Sequence, residues 1–180
     1  MNLRRKAAVT LAATALIGAP VLTGSSLTGS APTAEAAEAA VNARLYNMGT
    51  GLCLANPSSS QTAGTVMIQW SCSNSNSNYW SLKPMTGGGY HVVNKASGQC
   101  LAIPSGSTTL GVKAIQWPCG TEQGDEQVWV HDGIDQLRNA KTGLCLAIPK
   151  GTTDAGTEAI QWNCDAQNAT NPNLDRQWLW

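Results

Sequence analysis

Six cysteines, two histidines, seven tryptophans and eleven carboxylates are the residues of this 180-residue chain with chemistry to offer. Their spacing speaks against catalysis. His91 and His131 stand far apart, and neither lies beside a serine or cysteine nucleophile motif. Asp125 and Glu126 are neighbours in sequence, which does not make the facing pair that glycoside hydrolysis needs. No catalytic residue is expected. Zinc ligands come as close cysteine pairs, and none occurs here, so neither a metal nor a cofactor is expected. The chemistry left to the cysteines is oxidation to disulfides.

The cysteines are periodic. Cys53 and Cys72, Cys100 and Cys119, and Cys145 and Cys164 are each nineteen residues apart. Gly51, Gly98 and Gly143 stand two before the first cysteine of each pair, and Pro57, Pro104 and Pro149 four after it. Gly64, Gly111 and Gly156 stand eleven after it, and Ile-Gln-Trp precedes the second cysteine in every copy. Landmarks at fixed offsets define an internal threefold repeat. Six cysteines allow 15 pairings. If each repeat is one structural unit, the simplest pairing is Cys53–Cys72, Cys100–Cys119 and Cys145–Cys164. Each bridge would close a loop of about 20 residues and stabilise by about 3 kcal/mol in the chain-entropy model.

The elements that must hold this pattern are strands. No apolar period of 3.6 residues persists; short apolar bursts separated by turn residues recur instead, which reads as all-β. Each repeat supplies four bursts, beginning at Arg44–Asn47, His91–Asn94 and Gln136–Asn139 and ending at Trp80, Trp129 and Trp178. Twelve strands follow. One repeat of about 45 residues makes too little core to fold alone, whereas three closing around an axis can. The connection from the second cysteine to the last tryptophan lengthens from 8 to 10 to 14 residues along the chain, and such insertions belong on surface loops.

Residues 1–40 read as a secretory signal peptide: Arg4, Arg5 and Lys6, an apolar run from Ala7 to Leu22, then Ala34-Glu35-Ala36 and Ala37-Glu38-Ala39 as small-x-small cleavage sites. The expected mature chain, residues 41–180, carries eight basic and nine acidic side chains. That balance gives no basic patch for nucleic acid and no basic amphipathic helix for a membrane surface. A secreted, extracellular and monomeric domain is expected, with repeats at about residues 41–87, 88–132 and 133–180.

A triple repeat with Cys-Leu at its start, Gln-Trp before the second cysteine and a closing Gln-x-Trp resembles the ricin B-chain-type lectin family. The closing motif is intact as Gln127-Val128-Trp129, with Asn78-Tyr79-Trp80 and Arg176-Gln177-Trp178 as variants. The resemblance implies a β-trefoil and a carbohydrate partner. It places Trp80, Trp129 and Trp178 in the core, and makes Trp70, Trp117 and Trp162 flat faces on which a sugar ring stacks. The family's aspartate two after the first cysteine is replaced by Ala55, Ala102 and Ala147. Its polar residue four before the second cysteine is replaced by Ile68, Ile115 and Ile160, and its asparagine three before the last tryptophan by Ser77, Glu126 and Asp175. Asn56, Asp154, Gln69, Gln116 and Gln161 are candidate substitutes for the missing hydroxyl acceptor, although strand alternation points each glutamine away from its tryptophan.

Overall fold

The computed structural model describes residues 42–120 and 126–180. The expected signal peptide lies outside the described residues, and so do its cleavage sites. Thirteen short strands and five one-turn 3-10 helices make up the described secondary structure. Among the described residues no helix is long and apolar enough to cross a membrane.

Unit one contributes β1 (Ala43–Arg44), β2 (Tyr46–Asn47), β3 (Cys53–Ala55), β4 (Ile68–Trp70) and β5 (Tyr79–Pro84). Unit two contributes β6 (Tyr90–Asn94), β7 (Cys100–Ala102), β8 (Ile115–Trp117) and β9 (Val128–His131). Unit three contributes β10 (Leu137–Asn139), β11 (Cys145–Ala147), β12 (Ile160–Trp162) and β13 (Trp178–Leu179). The thirteenth strand arises because the first burst splits at Leu45: β1 pairs with β5, while β2 turns to pair with β3 and β13. The fold is an all-β trefoil of three pseudo-symmetric units. Cys53–Cys72, Cys100–Cys119 and Cys145–Cys164 are bonded, one bridge within each unit.

The Ile-Gln-Trp strands are shorter than the five-residue apolar bursts that contain them. The residue before each strand bonds outside its own unit. Met67 N–H donates to the Ala114 carbonyl, Ala114 N–H to Ala159 and Ala159 N–H to Met67, each at 2.9 Å. Three main chains thus meet in a ring around the pseudo-threefold axis, with Met67, Ala114 and Ala159 wholly buried. The core beneath it is built from Leu, Ile and Val together with Trp80, Trp129 and Trp178, all three at 0% exposure. A buried indole N–H needs an acceptor. Trp80 donates to the Leu54 carbonyl at 3.0 Å, Trp129 to Leu101 at 2.9 Å and Trp178 to Leu146 at 3.0 Å.

The varied Gln-x-Trp motifs keep one function. Gln127 accepts from Gly120 N–H at 2.7 Å and donates to the Pro118 carbonyl at 2.9 Å, tying down the chain beside Cys119. Asn78 accepts the Ser73 hydroxyl at 2.6 Å, beside Cys72. Arg176 donates to Asp165 at 3.0 Å, beside Cys164. Where the motif changes to arginine, the residue after the cysteine is an aspartate, so the tie survives as an ion pair.

Candidate functional site

Pseudo-symmetry generates three equivalent surface clefts. Each has an alanine floor (Ala55, Ala102, Ala147), an isoleucine wall (Ile68, Ile115, Ile160), the proline of a 3-10 turn (Pro57, Pro104, Pro149) and a tryptophan (Trp70, Trp117, Trp162). The fourth side is Ser77, Glu126 or Asp175. The tryptophans are 49%, 47% and 38% exposed, although each lies opposite a buried half-cystine across its strand pair. Each indole also lies over a glycine of another unit, held at positive φ: Gly156 beside Trp70, Gly64 beside Trp117 and Gly111 beside Trp162. A Cβ on those glycines would stand 3.6, 3.7 and 3.9 Å from the ring. The left-handed backbone conformation there favours glycine.

The residue at the fourth side is fixed through its main chain. The Ser77 carbonyl accepts from Asn94 Nδ2 and from Asn56 N–H, both at 3.0 Å. The Glu126 carbonyl accepts from Asn139 Nδ2 at 2.8 Å and Ile103 N–H at 3.1 Å. The Asp175 carbonyl accepts from Asn47 Nδ2 at 2.9 Å and Ile148 N–H at 3.0 Å. Asn47, Asn94 and Asn139 are wholly buried, and their Oδ1 atoms also accept the N–H groups of the turn that follows each of them. One amide therefore shapes its own turn and fastens the mouth of a cleft in another unit.

The clefts differ in size. The third encloses about 580 Å³, the second about 240 Å³ and the first about 190 Å³. The long connection after Cys164 contributes Asn173, Asp175 and Arg176 to the third cleft, alongside Lys150 and Trp162. Asp165 organises that connection by accepting from Asn173 N–H at 2.6 Å, Asn173 Nδ2 at 2.8 Å and Arg176 at 3.0 Å. Burial pushes the Asp175 carboxyl above the ordinary carboxylate range; Arg176 opposes this and Asp165 adds to it.

Several sequence candidates sit below the surface. Gln69, Gln116 and Gln161 are at 0% exposure, which removes them from any sugar contact. Gln69 Nε2 donates to the Thr152 and Asp154 carbonyls, Gln116 Nε2 to Ser60 and Thr62, and Gln161 Nε2 to Ser107 and Thr109. They are clamps between units. Asp154 is exposed and its Oδ2 accepts the Thr152 hydroxyl at 3.0 Å; its loop packs on the strand of Trp70, not on its own unit's cleft. Asn56 is 1% exposed, yet it lines the first cleft at the place that Ile103 and Ile148 take in the other two. It donates to the Ser60 carbonyl and to Asn94 Oδ1, while its own Oδ1 has no partner among the described residues. Both acceptors keep other donors, Gln116 on the first and Ala96 and Ser97 on the second. Asn56→Ile should therefore raise unfolding stability by about 1–3 kcal/mol, because it removes a buried amide oxygen with no partner while the acceptors of its nitrogen keep their other donors. Urea midpoints of the two proteins check this, and a lower midpoint for the variant would refute it.

The model of the ricin-type beta-trefoil lectin domain matches residues 41–171. No curated protein matches the chain. Among solved structures, ThreeFoil, a designed 3-fold symmetric protein, is 27% identical with a TM-score of 0.67, over 75% of this chain and 94% of that one. The exo-beta-1,3-galactanase from Clostridium thermocellum is 23% identical with a TM-score of 0.66, over 77% of this chain and 29% of the enzyme. The C-half of an earthworm R-type lectin, solved with GalNAc, is 14% identical with a TM-score of 0.56, over 76% of this chain and 94% of that one. The last two likenesses are of fold alone. Three disulfide-closed units around one axis, each with the same aromatic cleft, and a family model matched over most of the chain establish that the protein belongs to the ricin-type β-trefoil lectin domain family.

Proposed function

We propose that the protein is a secreted carbohydrate-binding module that acts as a single chain and holds sugar rings on Trp70, Trp117 and Trp162. The observation that carries this reading is the triple exposure of an indole beside a cleft lined by alanine, isoleucine and proline, in a domain of a lectin family. A flat aromatic face takes the C–H side of a pyranose, and polar groups at the rim take its hydroxyls. One such shallow site binds weakly. Three on one rigid body multiply retention on a polymer, because each later contact is made at a high effective concentration.

The chain should be retained on at least one insoluble polysaccharide and released by the matching soluble oligosaccharide, with a matching signal on a glycan array. A blank array at high protein concentration, with no retention, would sink the proposal. One feature favours a second reading, a trefoil serving as a protein-interaction or inhibitor scaffold. Ala55, Ala102 and Ala147 give the cleft floors no hydrogen-bonding group. A blank array together with a stoichiometric protein partner in pull-downs would select it.

A further inference from the structure

Each exposed tryptophan rests on a loop that belongs to another unit, and the residue just before the tryptophan holds that loop. We propose that Gln69, Gln116 and Gln161 are positioning residues that fix the tilt of Trp70, Trp117 and Trp162, so that every site is assembled from two units. This rests on the carbohydrate reading of the clefts and goes beyond it. Side chains that touch no sugar, together with a loop of the preceding unit around the axis, set how well each site binds.

Strand alternation sends the indole outward and the glutamine inward, and the glutamine reaches the loop by two routes. Through its main chain, Gln116 accepts from Gly64 N–H at 2.8 Å and donates to the Thr65 carbonyl at 2.9 Å. Through its side chain, Nε2 donates to the Ser60 and Thr62 carbonyls, both at 2.9 Å. One residue of unit two thus fastens residues 60–65 of unit one at four points, and Gly64 in that segment lies under Trp117. Gln161 repeats the pattern on Ser107, Thr109, Gly111 and Val112 beneath Trp162, and Gln69 on Thr152, Asp154, Gly156 and Thr157 beneath Trp70. Most of each segment is exposed, so the core does not hold it in place. A joint between units made for stability alone would stop at the main-chain bonds. The amide goes on to the outer part of the loop, and it does so at a cost. Gln116 Oε1 accepts the Ser97 hydroxyl at 2.8 Å, but Gln69 Oε1 and Gln161 Oε1 are buried without a partner among the described residues, which lowers stability. Packing rules are broken in this way where a site needs a particular geometry. Stacking is that need: an indole free to change rotamer must be immobilised on binding, which weakens affinity about 3- to 10-fold.

The test follows the indole N–H signals of Trp70, Trp117 and Trp162 by NMR in the full chain. Their order is measured first in the free protein. The chain is then titrated with neutral oligosaccharides (galacto-, gluco-, manno- and xylo-) and N-acetylhexosamines. Gln116→Met keeps the length of the side chain and removes its amide. It should lower the heteronuclear NOE of the Trp117 indole and weaken sugar binding there about 3- to 10-fold, with Trp70 and Trp162 unchanged. Gly64→Ala tests the loop from the other side, leaving unit two intact. It strains a left-handed backbone and sets a methyl against the indole. It should disturb Trp117 and spare Trp70, the tryptophan of its own unit. A general weakening of the fold would affect all three indoles alike. If Gln116→Met does not fold, the pattern in Gly64→Ala decides. Equal change at all three indoles, or a Trp117 that keeps wild-type order and affinity, overturns the inference while the carbohydrate reading stands. If wild type responds to no sugar in the panel, the carbohydrate reading falls, and the order of Trp117 in the free variants alone decides the inference.

Discussion

Alanine at Trp70, Trp117 and Trp162 together is expected to abolish retention on polysaccharide while leaving a folded protein. The indoles are between 38% and 49% exposed, so the interior keeps its packing when they go. Each deletion removes the half of the ring resting on the neighbouring glycine loop, about 1–2 kcal/mol by area. The disulfides, about 3 kcal/mol each in the chain-entropy model, are untouched, and so is the main-chain ring at the axis. Single variants should lose part of the avidity and the triple variant all of it, because effective concentration vanishes when no second site remains. Column retention and near-ultraviolet dichroism on the same samples separate loss of binding from loss of structure. A folded triple variant that binds as well as wild type would remove the aromatic faces from the mechanism.

The same substitution twelve residues beyond Trp117 should have the opposite effect. Trp129→Ala empties a wholly buried position at which β9 pairs with both β6 and β10. Removing a buried tryptophan side chain costs about 3–5 kcal/mol through lost burial and the cavity left behind. The Leu101 carbonyl also loses its indole donor. Chemical denaturation should show a loss of that size, and the sugar titration of whatever remains folded should be unchanged. A loss below about 1.5 kcal/mol would be too small for a core tryptophan of this kind.

The two roles of tryptophan are separable in the sequence because the repeat prints each three times, at different offsets from the same cysteines. The disulfides are legible for the same reason: equal spacings make the within-unit pairing the simplest of the fifteen. The glutamines show where this reasoning stops. Alternation correctly turns Gln69, Gln116 and Gln161 away from their tryptophans, but it cannot say that the opposite side is a seam between units with two carbonyls waiting for the amide. Asn56 lines the first cleft where Ile103 and Ile148 line the other two, and that comparison is the clue to its burial. Glu126 and Asp175 are visible in sequence as departures from the family asparagine. Their position at the mouths of the clefts depends on main-chain bonds from asparagines 128 and 13 residues away in the chain, beyond the reach of local pattern.

The ring of main-chain bonds at the axis runs in one sense only. Each unit gives an N–H to the unit after it, and the third gives one to the first. Peptide linkage between units plays no part in that circuit. Three separate polypeptides, each one unit long, carry every complementary edge needed to build the same body.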